Sequence, residues 1–138
     1  MKKLLTVLSA VALVAVSGVA VFAASEMREG KWEITSKVEM PGMPMKMAPT
    51  VMTHCYTKED VKDRKNVVSN KNNDCKVTDM KVSGNKVTWK MKCTGKSKGT
   101  FSGVTVFGSD YYNSTMNMQS EGYNMTTKVK ARRIGNCD

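Results

Sequence analysis

Thioether sulfurs crowd one short stretch of this chain. The segment MPGMPMKMAP, residues 40–49, carries Met40, Met43, Met45 and Met47, with Met52 and His54 close behind. Soft thioether donors select Cu(I), and a flexible loop can gather three of them. The same residue is also a common filler of irregular apolar gaps. Two uses are therefore expected. One is a copper claw built from Met40, Met43, Met45, Met47 and His54. The other, which we favour, is an apolar lid in which Met43 and Met45 cover an open mouth of the fold.

His54 is the only histidine. A general base needs a nucleophile and an orienting acid within hydrogen-bond reach. The adjacent Cys55 would project to the opposite face of a strand, because strand side chains alternate. The acids show no recurrent pairing that acid/base work would demand, and Glu59, Asp60 and Asp63 suit a solvated helix face. No catalytic residue, no cofactor and no enzymatic activity are expected.

Cys55, Cys75, Cys93 and Cys137 complete the reactive inventory, and none is spaced CxxC. Four cysteines in an exported chain imply two disulfides, with three possible pairings. The pairing depends on the stretch DCKVTDMKVSGNKVTWKMKC, residues 74–93, which reads as a β-hairpin turning at Gly84-Asn85. In that register Val82 faces Val87, Met80 faces Trp89 and Thr78 faces Met91. Lys81, Lys86, Lys90 and Lys92 are left to water. Cys93 then shares the Trp89 face while Cys75 lies on the other, which favours Cys55–Cys75 with Cys93–Cys137. A single β-bulge would reverse this choice.

Alternation over residues 31–40 sets Trp32, Ile34, Ser36, Val38 and Met40 against Lys31, Glu33, Thr35, Lys37 and Glu39, which is a half-buried strand. Residues 50–56 form a second strand, and Thr57 caps a short helix ending between residues 66 and 69. After the central hairpin, strands are expected over 100–107, 110–120 and 123–133. The registers put Phe101 opposite Met116, Thr105 opposite Tyr112 and Met118 opposite Met125. The fold class is mainly β: an antiparallel meander of about seven strands, strongly curled or a partly closed barrel, with one short helix and two disulfides. Its apolar face collects Trp89, Met91, Phe101, Tyr112 and Met116. With Met43 and Met45 these are the expected ligand-binding residues, for an apolar or amphiphilic ligand.

The chain opens with Lys2 and Lys3, an apolar run and Val21-Phe22-Ala23, the pattern of an export leader over residues 1–23. Residues 24–138 would then be a single exported domain, periplasmic or secreted. Membrane contact is expected only through the leader before its removal. The formal net charge is +10, of which the leader's two lysines supply part. Such a charge can hold an exported protein near anionic lipid, polysaccharide or an acidic partner. The lysines are spread along strands with few aromatics between them, so no nucleic-acid partner is expected.

The order of motifs is itself informative. It runs GKW at 30–32, MPGMP at 40–44, Cys55 with a Thr-Lys-Glu helix start, then DC at 74–75. A GN turn with VTW follows, then Cys93, a Gly-Thr strand start and RRIGNC at 132–137. This order resembles the family catalogued as domain of unknown function 3617, small exported proteins mostly of Gram-negative bacteria. The resemblance implies an exported single-domain β protein and brings no activity or catalytic residues. The functional expectations are a binding module, a pocketless envelope interaction protein, or Cu(I) sequestration.

Overall fold

The computed structural model describes residues 26–68 and 74–138. The leader expected over residues 1–23 and most of the polar loop expected at residues 70–74 lie outside the described residues. Seven antiparallel strands form one sheet: β1 (Gly30–Glu39), β2 (Thr50–Tyr56), β3 (Cys75–Ser83), β4 (Lys86–Cys93), β5 (Gly99–Phe107), β6 (Tyr111–Ser120) and β7 (Tyr123–Gly135). Their order is β2-β1-β7-β6-β5-β4-β3. The sheet is open, with β2 and β3 as its two edges, so the barrel closure expected from the sequence is not made.

It is nevertheless curled. The Tyr56 and Tyr112 rings stand 6.4 Å apart although β2 and β6 are three strands apart in the sheet. Three strand spacings amount to about 14 Å in a flat sheet. Only inward curvature brings those side chains together. The concave side carries the core: Trp32, Val87, Trp89, Met91, Phe107, Tyr112 and Ala131 are buried there. The convex side carries lysine, threonine and asparagine. A helical crossover from β2 to β3 packs Val61, Val67 and Val68 against the core.

The crossover is two short helices rather than the single one expected: α1 (Lys58–Lys62) and α2 (Arg64–Val68). Asp63 takes an extended conformation between them and its carboxylate accepts from the Lys65 amide at 2.9 Å. Thr57 and Asp60 form a reciprocal capping box at the start of α1. Two acids expected on a solvated helix face are thus caps. Each satisfies backbone donors that a helix start leaves unpaired.

Two register findings depart from the expectations. Val77 pairs with Met91 but Asp79 pairs with Lys90, so Thr78 is an extra residue in β3. This bulge brings Cys75 to the Trp89 face, directly opposite Cys93. The disulfides are accordingly Cys75–Cys93 and Cys55–Cys137, not the favoured pairing. The β5–β6 connection is also wider than a two-residue turn. Phe107 pairs with Tyr112, Thr105 with Ser114 and Phe101 with Met118, a slip of two residues. The Asp110 carbonyl instead accepts from the Arg133 amide on β7 at 2.8 Å. A slip of two keeps every side chain on its face, because the strand period is two.

Candidate functional site: the concave face

Beneath α2 the concave face retains a recess of about 150 Å³, lined by Val67, Val68, Trp89, Thr105, Tyr112, Ser114, Met116 and Val129. Each strand contributes through its alternation. Thr105 on β5, Ser114 on β6 and Val129 on β7 lie on one cross-strand row. The Trp89 ring lies flat across Gly103, where a Cβ would come within 2.5 Å of its Cζ2 atom. A glycine at that position is what lets the indole sink into the sheet.

The recess is apolar with one polar point. The Trp89 indole N–H donates to Thr105 Oγ1 at 3.1 Å, and Thr105 Oγ1 lies 2.8 Å from Ser114 Oγ. Only one of the two hydroxyl protons is used between Thr105 and Ser114, so the other remains to be donated elsewhere. Nearby, the phenol oxygens of Tyr56 and Tyr112 are 3.0 Å apart. Burial holds the Tyr112 phenol far above its ordinary range, reinforced by the Tyr56 phenol. Burial likewise raises Tyr56, outweighing the hydrogen bond from Tyr112. Both stay neutral at any physiological pH.

Towards the other end of the strands the face is only half-covered. Phe101, Met116, Met118, Met125 and Val129 are neither buried nor fully exposed. They form an apolar strip continuous with the recess, because Met118 pairs with both Phe101 and Met125. Of the expected ligand residues, Trp89, Tyr112 and Met116 line the recess. Met91 and Phe101 face each other further along the same side. Val67, Val68, Thr105 and Ser114 were missed. Two inward small polar residues and an apolar pair ending a polar helix were the signals available for them.

Met43 and Met45 do not cover this face. They are 63% and 80% exposed, on a loop that leaves β1 past the rung where Glu39 pairs with Thr126. Pro41 and Gly42 make a turn in which the Met43 amide bonds the Met40 carbonyl at 3.3 Å and Gly42 takes φ 87°. This is the geometry that a Pro-Gly pair prefers. Met40 and Met43 border a separate surface depression of about 470 Å³ beside the β6–β7 turn. The one nitrogen donor of the expected copper set is on a strand rather than on the loop. His54 lies well along β2, opposite Trp32, with its ring 4.5 Å from that of Tyr56. Met47 belongs to the loop before β2 begins. Among the described residues no group of three His, Cys, Asp or Glu side chains is placed to hold a metal.

A family model described as Protein of unknown function (DUF3617) matches residues 27–137, the whole of the sheet and both disulfides. The chain belongs to that family. No curated protein and no solved structure matches it. For this DUF3617 domain the chemistry must therefore be read from the concave face itself.

Proposed function

We propose that this DUF3617 protein is an exported, non-enzymatic binding module. Its concave face takes an apolar or amphiphilic ligand along the strip Phe101–Met118–Met125, with one end in the recess beneath α2. The observation that carries this reading is the continuity of the half-covered apolar strip with a recess holding a single hydroxyl donor. Apolar walls with a few placed polar groups are the usual make-up of small-molecule sites. The recess alone is smaller than such sites, so the open strip must supply the remaining contact. The methionines on it suit a chain-like ligand of variable length, since their flexible thioethers repack readily.

Export is supported by the leader pattern and by two disulfides, which persist in oxidising compartments. The non-enzymatic reading is supported by the separation of the groups that could act as nucleophile and base. Cys55 is bonded to Cys137. His54 stands exposed on an edge strand, and Asp60 and Asp63 cap helices. A pocketless interaction protein is the second reading, favoured by the small volume of the recess.

Titration with a series of straight-chain fatty acids and alcohols, displacing an apolar fluorescent dye, separates the two. Saturable displacement that tightens with chain length and weakens in Met116→Lys supports the binding module, with Thr53→Lys on the opposite face as control. Absence of saturable binding across the series refutes it.

A further inference from the structure

The convex face divides into two halves of different electrostatic character. Over β1 and β7 four convex cations are paired with acids. Arg132 meets Glu33 at 2.9 Å, Lys128 and Lys37 both meet Glu39 at 3.2 and 3.6 Å, and Lys31 meets Asp138 at 3.2 Å. Lys128 holds the Glu39 carboxyl below its ordinary range through hydrogen bonding and charge. Over the β3–β4 hairpin the convex cations outnumber the one acid among them, Asp79, which faces Lys90 in the register. Lys76, Lys81, Lys86, Lys90 and Lys92 are all exposed there, and among the described residues none has an ion-pair partner. Residues 74–98 carry seven lysines, no arginine and two acids, half of the chain's formal +10.

The bulge at Thr78 completes this patch. Without the extra residue Lys76 would share the concave face with Trp89; with it, Lys76 stands directly opposite Lys92 on the convex side. Like charges directly opposed across a strand pair are destabilising. A neutral residue at either place would relieve the repulsion, so folding does not explain the pair.

We propose that the convex side of the β3–β4 hairpin docks on an anionic lipid bilayer. The five lysines are distributed along both strands, with only Lys76 and Lys92 directly opposite each other, which spreads charge over a surface rather than focusing it in a groove. All are lysines, compact point charges without the bidentate geometry with which arginine reads phosphate or base edges. No aromatic side chain shares the hairpin's convex face, so nothing there stacks a nucleobase. A plane of lipid headgroups is the polyanion that matches these features. Polybasic segments bind such planes with about 1 kcal/mol per lysine, screened by salt.

The test is sedimentation with vesicles of phosphatidylglycerol and phosphatidylcholine, against phosphatidylcholine alone. Residues 24–138, the expected exported domain, are used; they hold all the described strands, both helices and both disulfides, and the leader's own lipid affinity is then removed. Binding is expected only to the anionic vesicles. It should disappear as NaCl rises from about 0.01 M to about 1 M and the screening length falls from about 30 Å to about 3 Å. The triple variant Lys76→Gln/Lys90→Gln/Lys92→Gln should weaken binding roughly 100-fold, from about fivefold per lysine. The matched triple Lys128→Gln/Lys130→Gln/Arg132→Gln removes the same charge from the other half and should weaken it far less. Equal losses in the two triples would mean net charge alone acts, and would overturn the proposal. So would absent or salt-insensitive binding to anionic vesicles. A single-stranded oligonucleotide that binds as tightly as the vesicles, with the same response to the hairpin triple, would replace the membrane by nucleic acid. Circular dichroism of each variant checks that the sheet is intact.

Discussion

Gly103→Ala is the sharpest probe of the packing that forms the recess. At an ordinary strand position, glycine to alanine stabilises by about 0.4–1 kcal/mol, because the unfolded chain loses freedom. Gly103 has no positive φ to protect. Local reasoning alone therefore predicts a gain. The structure predicts a loss, since the new Cβ would stand 2.5 and 2.8 Å from Trp89 Cζ2 and Cε2 and 3.0 Å from the Thr115 carbonyl oxygen. The indole is rigid, 3% exposed and tied to Thr105, so it cannot swing away freely. Overpacking of a buried site costs about 1–3 kcal/mol, and displacing the indole puts its hydrogen bond, about 1 kcal/mol, at risk. The net expectation is destabilisation by about 2 kcal/mol, a fall in Tm of roughly 10 °C for a domain of this size. Urea unfolding with the disulfides intact, followed by far-UV circular dichroism and tryptophan emission, measures it. In a Trp89→Phe background the same substitution should cost less, giving a coupling of about 1 kcal/mol or more. A Gly103→Ala protein as stable as wild type, or more stable, would refute the packing argument.

The two disulfides should differ in worth. Replacing the Cys55–Cys137 pair by alanine opens a separation of 82 residues and should cost about 4.5 kcal/mol, against about 3 for Cys75–Cys93 with 18. Chemical denaturation of the two double variants gives the order, and non-reducing peptide mapping gives the connectivity. Stability should fall as pH rises above about 10, because the unfolded chain releases phenolic protons that the fold retains on Tyr56 and Tyr112. Tyr112 contributes a slope of about −1.4 kcal/mol per pH unit there, Tyr56 acts in the same direction, and neither contributes below. Tyr112→Phe should flatten the profile by one such slope. Under mild peroxide Met43, Met45, Met47 and Met52 should form sulfoxide first, with Met91 protected by burial. Mass spectrometry of timed digests reads the order, and slow oxidation of Met43 and Met45 would contradict the placement of the loop.

Much of the fold is legible in residue order. Strict alternation along residues 31–39 and 86–93 assigns each side chain to a face without any tertiary information. The same alternation survives the two-residue slip between β5 and β6, so the apolar face was read correctly although its β5–β6 pairings were not. Cys55 and His54 were likewise placed on opposite sides of β2. The candidate site is less legible. Trp89, Tyr112 and Met116 follow from alternation. Val67 and Val68 reach them only because the crossover lies over the concave face, and the Thr105–Ser114 contact depends on a loop width that composition does not specify.

Alternation is local and repeats every two residues, so the chain alone determined strand, face and hairpin. It could not register an event that inserts one residue. The bulge at Thr78 is such an event, and it exchanged the faces of Cys75 and Lys76, decided both disulfides and added Lys76 to the four lysines already on the convex face. The Met40–Pro49 loop shows the same limit. Its composition called for apolar cover, but its position beyond the last rung of β1 left it in water. Those outcomes belong to the tertiary structure, because they follow from which strands meet and how far the sheet curls before its edges run out of partners.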